Sequence, residues 1–417
     1  MEIYKFGGAS VRDAASVQNV AEVVLKTGIE DKVIVVSAMG KMTNAFELVV
    51  AGYLENDSIP QRELSYVKEY HYTIASDLFE DSNHAVFKEI TALFEELENF
   101  MEHNKSTQYD FVYDQIVCFG ELLSTKIVSA YFVEKGIEHK WLDARDLIKT
   151  DSTFRDATVN WSATQQNIQT GIKSNKLYLT QGFIGADDNN FSTTLGREGS
   201  DYTAAIFAYC LNAIKVTIWK DVPGVLNADP RVFENSRLLN QISYEEAIEL
   251  AFFGASVIHP KTLQPLQRKE IPLYVKSFID PSGEGTSVRK GQSLIPEIPC
   301  FIVKKDQVLI SLSTLDFSFM VEENISEIFR LFHHYQMKVD LIQNSAISFA
   351  VCVDNKFNNL EKLIQHLKAR FKVSYIPGVS LYTIRHFNDE ALEMLVKDKE
   401  VLLKQVMQNT VQLVSRN

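Results

Sequence analysis

Five short segments hold the side chains that could do chemistry. The first is Lys5-Phe6-Gly7-Gly8, an ammonium at the end of a short apolar run followed by paired glycines. Glycines after a strand let backbone N–H groups approach phosphate oxygens, and the next helix adds its positive end. No G-x-x-x-x-G-K-[ST] pattern is present, so this is not a Walker A loop. Ser37-Ala38 with Lys41-Met42-Thr43-Asn44 gathers hydroxyls and an amide after a second apolar run. That set suits a small polar ligand, and equally a helix cap. Glu121 follows Gly120, where a carboxylate can hold an ammonium or complement a helix dipole. The richest stretch is Thr193-Thr194-Leu195-Gly196-Arg197-Glu198-Gly199-Ser200-Asp201. Arg197 offers a forked donor for a carboxylate, Ser200 adds a hydroxyl, and Asp201 could orient a lysine or approach a metal. The fifth segment runs from Trp219-Lys220-Asp221 to Asp229-Pro230-Arg231, where Lys220 and Arg231 can face phosphates. Ser243–Glu246 reads as a structural capping box. His259, beside Pro260, reads as a packed, hydrogen-bonded histidine.

The elements that must position these residues alternate. Strand-like runs occur at Ile3–Phe6, Lys32–Ala38, Lys176–Ile184, Lys215–Val222 and Ile271–Phe278. Amphipathic stretches lie between them, one with Val17, Val20, Val23 and Val24 on a single face, and residues 60–104 read as a helical excursion. This predicts an α/β fold, a mostly parallel sheet sandwiched by helices. In such sheets ligands gather beyond the C-terminal strand ends, where the glycines and polar clusters fall here. Gly283–Pro299, rich in Gly and Pro, reads as a linker. Beyond it the order strand, helix, strand, strand, helix, strand predicts a ferredoxin-like βαββαβ unit over about 305–377. The remainder reads as one strand, a helix near Asp389–Gln408 and a short strand Val411–Val414, too little for a second complete unit.

Composition narrows the function classes. The chain has 417 residues, 46% of them hydrophobic, and a formal net charge of −12. Nucleic acid as the main partner calls for the opposite sign. The four cysteines, Cys118, Cys210, Cys300 and Cys352, are isolated, so buried reduced thiols are expected and no metal spacing is present. No basic leader precedes an apolar run and no bilayer-spanning stretch is read, so no membrane is expected and a cytoplasmic location is.

Taken together and in order, the motifs resemble aspartate kinases of the amino acid kinase superfamily, with a C-terminal ACT-like regulatory region. KFGG, SA with TN, GE, TTLGR with GSDYTA, DV-GV, DPR, FGA, HP-TL-P and the late Gly285-Thr286 carry the resemblance over nearly the whole chain. It implies a catalytic domain over 1–295 and a regulatory region over 300–417, with one full unit and a second truncated. It implies phosphorylation of the L-aspartate β-carboxylate by ATP with Mg2+, the first step toward lysine, threonine and methionine. No homoserine dehydrogenase module follows, so a monofunctional enzyme is expected.

The resemblance makes Lys5 catalytic, with Asp201 orienting it. Ser37, Thr43, Glu121, Arg197 and Ser200 become substrate contacts. Gly7, Gly8, Lys220, Asp221 and Arg231 join Lys5 at the nucleotide. Asp340 and Ser345 match an effector site for lysine or threonine. No protein side chain is assigned to the metal, which travels with ATP. A homodimer or higher homo-oligomer is implied. The chain departs from the family at Ala9 for Thr, Glu198 for Gly, Lys220 for Thr, Leu226 for Tyr and Ser256 for Lys. Lys220 could replace the charge missing at Ser256. Two other readings are a glutamate or acetylglutamate kinase, disfavoured by Glu121 and the GR-GSD loop, and a catalytically weak or dead amino acid sensor. The site implied by the resemblance further predicts that Lys5→Ala cuts kcat with little loss of fold.

Overall fold

The computed structural model describes residues 1–56, 58–255, 258–316, 318–397 and 399–416. The chain divides into two units. The first holds Met1–Val225, Leu238–Ile248 and Ile258–Leu294, and the second Leu226–Arg237, Glu249–Val257 and Ile295–Asn417.

In the first unit the β-branched runs become one eight-stranded sheet. Its order is Lys140–Leu142, Leu177–Gln181, Lys32–Val36, Glu2–Phe6, Lys215–Lys220, Leu273–Ser277, Thr286–Arg289 and Gln241–Ser243. Pairing is parallel except between Thr286–Arg289 and Leu273–Ser277. Every residue of Lys32–Val36 is buried, as a parallel strand covered on both faces requires. Glu2–Phe6 is central, with Lys5 registered between Val35 and Ile218.

The helices form where an apolar stripe can be buried and an end can be capped. Helix Ala14–Thr27 buries Val17, Val20, Val23 and Val24; Asp13 caps it by accepting the Ser16 N–H at 2.8 Å. The expected helical excursion is two helices, Gln61–Leu78 and Ala85–His103, whose Leu64, Val67, Ile90, Phe94 and Leu97 join the main core. Helices Tyr109–Val117 and Phe119–Glu134 form a stretch long and apolar enough to cross a membrane, which the sequence reading missed; its most apolar part is mostly buried within the protein.

The second unit carries a six-stranded antiparallel sheet ordered Lys338–Asn344, Ser348–Asp354, Cys300–Thr314, Phe371–Arg385, Thr410–Arg416 and Glu400–Met407. With helices Glu322–His334 and Leu360–Lys368, its first four strands make the expected βαββαβ unit. Ile328, Phe332, Leu363 and Leu367 pack beneath them.

Two expectations need correction. The Gly283–Pro299 stretch is not a plain linker, because Thr286–Arg289 is a strand of the first sheet with Val288 fully buried. Its glycines obscured it: Gly285 sits at φ +72, and a Cβ there would lie 2.3 Å from the Val275 carbonyl oxygen. The helix expected over Asp389–Gln408 stops at Val396, and Glu400–Met407 is a strand. Its Glu, Leu, Lys and Gln favour helix, but pairing with Thr410–Arg416 across the Gln408-Asn409 turn overrides them, with Gln408 at φ 48. Cys300–Thr314 and Phe371–Arg385 are also longer than expected, joined across a register shift between Lys304 and Gln307.

Candidate active site

The central strand ends in the glycine pair, and the neighbouring strand end is sewn to it. Ser37 N–H donates to Phe6 O at 3.1 Å, and Gly40 N–H to Gly8 O at 3.0 Å. A Cβ on Gly8 would come within 2.5 Å of Gly40 O and 2.9 Å of Ala38 O, so only glycine permits this approach. Lys5 points out of the strand to Asp201, with Nζ 2.6 Å from Oδ1. Asp201 lies in the first turn of helix Gly199–Leu211, and both side chains are nearly buried.

Glu121 lies in the first turn of helix Phe119–Glu134. Gly120 brings that turn against Ala38 and Phe46, where a Cβ would sit 3.2 to 3.3 Å from their side chains. Glu121 Oε1 accepts the Ala38 N–H at 3.3 Å, whereas Oε2 is buried without a partner. Burial pushes its carboxyl up from 4.5 to about 8, against the smaller lowering by the Ala38 N–H. A buried carboxylate with an open acceptor facing a cavity is a receptor for a cation that also donates hydrogen bonds.

These side chains meet in one cavity of about 530 Å³. Of the sequence-predicted residues, Lys5, Ser37, Thr43, Glu121, Arg197, Ser200 and Asp201 line it. Ser200 reaches it because Gly182 makes room, since a Cβ there would lie 2.4 Å from the Ser200 Cβ. Gly7 is off the wall but gives the Lys5 ammonium its space, a Cβ on it lying 3.1 Å from Nζ. Lys220 ends the next strand, Asp221 follows it, and neither lines the cavity.

Three predicted residues belong to the second unit. Arg231 forms an exposed fork with Asp229, at 3.0 Å from Nε to Oδ1 and 2.7 Å from Nη2 to Oδ2. The Asp340 side chain is nearly covered and paired with Lys304 at 2.8 Å and Lys338 at 3.4 Å. Ser345 is exposed, its hydroxyl 2.8 Å from that of Ser348. Ser256 lies outside the described residues. His259 caps helix Pro260–Arg268 through its Nδ1, which accepts the Lys261 N–H at 3.2 Å.

Sequence reasoning missed Glu47, Tyr113, Arg155 and Phe183, and passed over Asn44 as a contact. Tyr113 donates to Glu47 Oε1 at 3.0 Å, and the Arg155 guanidinium lies 4.6 Å from the Tyr113 ring centroid. Gly182-Phe183 directly after a buried strand was a readable signal; Arg155, in an irregular stretch, had none. Among the described residues no cluster of three or more His, Cys, Asp or Glu stands ready for a metal ion.

The sequence and the fold match known proteins. Residues 1–277 fit the profile of the amino acid kinase family. The chain is 30% identical over 394 residues to lysine-sensitive aspartokinase 3 of Escherichia coli (strain K12), covering 92% of this chain and 86% of that protein. The crystal structure of E. coli aspartokinase III in complex with lysine and aspartate, its T-state, superposes with a TM-score of 0.82 at 28% identity, covering 99% of this chain and 95% of that one. Its R-state, in complex with aspartate and ADP, gives 0.79 at 27% identity, covering 100% and 96%. The chain belongs to the amino acid kinase family, among the aspartokinases.

Proposed function

We propose that this protein transfers the γ-phosphoryl group of ATP to the β-carboxylate of L-aspartate, giving 4-phospho-L-aspartate and ADP. The observation that carries the reading is one cavity holding an open buried carboxylate at Glu121, a guanidinium at Arg197 and an ammonium at Lys5. Glu121 binds the substrate ammonium and Arg197 its α-carboxylate, with Ser37, Thr43 and Ser200 as hydroxyl contacts. The β-carboxylate is then the remaining nucleophile. It is already ionised, so no general base is needed. One carboxylate oxygen forms a bond to Pγ while the bond from Pγ to the β,γ-bridging oxygen breaks, and ADP leaves with that electron pair.

Lys5 neutralises the charge that grows between the β- and γ-phosphates, and Asp201 holds the Lys5 ammonium in place. Gly7 and Gly8 offer the phosphates an unobstructed backbone, and Lys220 and Asp221 serve the nucleotide. A Mg2+ ion would enter on the ATP phosphates, and the cavity carboxylate nearest Lys5 is Asp201. Bound there, the ion supplies further neutralisation of phosphate charge. The first unit is the catalytic one. The second is an amino acid-sensing unit in which Asp340 and Ser345 contribute to an effector site for lysine or threonine. The enzyme works in the cytoplasm, at the entry to lysine, threonine and methionine synthesis.

Hydroxylamine trapping of the acyl phosphate tests the reading. Hydroxamate with aspartate and none with glutamate is expected. A glutamate signal would make it a different amino acid kinase, and no signal would make it a sensor.

A further inference from the structure

The loop that carries Arg197 has a residue that is not glycine in the left-handed region. Glu198 lies at φ 53, ψ 31, in the left-handed region, at the N-terminus of helix Gly199–Leu211. That conformation costs a residue with a Cβ about 1 kcal/mol or more. The strain is not offset by capping, because Glu198 makes no side-chain bond to its own helix. Its Oε2 instead accepts the His259 N–H at 2.8 Å. On the other side of Arg197, Lys261 Nζ donates to Leu195 O at 2.9 Å and to Asp156 Oδ1 at 2.6 Å. Asp156 also fills the space beside Gly196, where a Cβ would come within 2.5 Å of its Oδ1. Arg197 is exposed, and both shoulders of its loop are fastened to the same segment, His259–Lys261.

We propose that Glu198 is a positioning residue for aspartate: its carboxylate ties the substrate loop to the His259 backbone and so holds the Arg197 guanidinium at the cavity. A strained residue retained where glycine would relax the backbone points to a task for its side chain. The side chain spends its carboxylate on this tie. The inference rests on the reading of Arg197 as the carboxylate clamp.

Two substitutions separate strain from tie. Glu198→Gly relieves the left-handed backbone and removes the acceptor. Glu198→Gln keeps the backbone and retains an acceptor oxygen. In Glu198→Gly the melting temperature stays equal or rises. The aspartate KM rises about tenfold, the factor that roughly 1.4 kcal/mol represents, while the ATP KM stays within about twofold. Glu198→Gln keeps the original aspartate KM. An unchanged aspartate KM in Glu198→Gly overturns the proposal, as does a rise in both KM values with a lower melting temperature. A glutamine variant that behaves like the glycine one also overturns it. Arg197→Lys tests the underlying reading separately. An ordinary aspartate KM there refutes the clamp itself, whereas a raised value there beside an ordinary one in Glu198→Gly refutes only the tie.

Discussion

Glu121→Gln removes one charge and changes almost nothing in shape, and it sets stability against catalysis. In the free protein burial holds the Glu121 carboxyl near 8, against 4.5 in an unfolded chain. A carboxyl raised in this way gives its full stability below pH 4.5 and loses it progressively as pH rises toward 8. At pH 7 the loss spans 7 − 4.5 = 2.5 pH units, or about 3 kcal/mol at roughly 1.4 kcal/mol per unit. Glutamine has no charge to bury, and its carbonyl can still accept the Ala38 N–H. The variant should therefore unfold at higher denaturant at pH 7 and pH 8, with the difference vanishing below pH 4.5. Catalysis should move the other way. Leaving the substrate ammonium without its buried counter-charge costs about 3–5 kcal/mol, so kcat/KM for aspartate falls at least about 100-fold. Because only the ionised carboxylate binds an ammonium, kcat/KM of the unmodified enzyme should climb about tenfold per pH unit below pH 8 and level off above it. Denaturant titration of both proteins, with pH profiles for aspartate, decides the matter. A less stable Glu121→Gln variant, or a flat profile between pH 6 and pH 8, refutes the reasoning.

Lys5→Ala should abolish turnover and, by breaking the ion pair, should also carry a stability cost. It strands the nearly buried Asp201 carboxylate, at a cost of about 3 kcal/mol, and Asp201→Asn in the same chain should recover most of that stability but no activity; a Lys5→Ala protein as stable as the parent argues against the ion pair. His71 is fully buried among Phe46, Tyr70 and Phe94, and burial drops its pKa from 6.5 to about 4. Its stability contribution is whole above pH 6.5 and is lost as pH falls to 4, about 3 kcal/mol over 2.5 units; denaturant curves of His71→Phe should lack that decline. Lys220→Ala should raise the KM for ATP far more than that for aspartate, and an unchanged ATP KM in steady-state assays rejects Lys220 as the replacement for the charge missing at Ser256.

Elements whose burial is local were legible in the sequence. Lys32–Val36 is apolar throughout and buried throughout. The spacing of Ile325, Ile328, Phe329 and Phe332 announced helix Glu322–His334. Thr286–Arg289 and Glu400–Met407 were not legible, because distant strands supply the pairing that makes them strands. The Gly285-Thr286 motif was visible but its task was not: Thr286 Oγ1 donates to Leu239 O and accepts the Val225 N–H at 2.8 Å, joining three chain segments inside the first unit. The same limit applies at the cavity. Lys5, Glu121 and Arg197 stood in glycine-marked segments at strand ends and helix starts. Glu47, Tyr113 and Arg155 reach the wall from helix interiors and an irregular stretch, where nothing in the local sequence marks a site.

Two buried carboxylates near this cavity show what distinguishes a ligand receptor from a structural anchor. Burial raises both, Glu121 to about 8 and Asp114 to about 6. Asp114 is satisfied from within: it accepts the Thr194 N–H at 2.8 Å, the Thr194 hydroxyl at 2.7 Å and the Arg155 N–H at 3.0 Å. It thereby holds Arg155 at φ 69 and anchors strand Ser192–Thr194, from which the Arg197 loop departs. The adjacent Gln115 does the same for Ser192, exchanging hydrogen bonds with its N–H at 3.1 Å and its carbonyl at 2.8 Å. Both Asp114 oxygens are thus paired within the protein. Glu121 is as deeply buried, yet one of its oxygens has no donor. A carboxylate that desolvation penalises and no protein donor compensates gains when a cationic donor completes it. That unmet acceptor, more than burial or a raised pKa, is what supports the proposal that Glu121 receives the substrate ammonium.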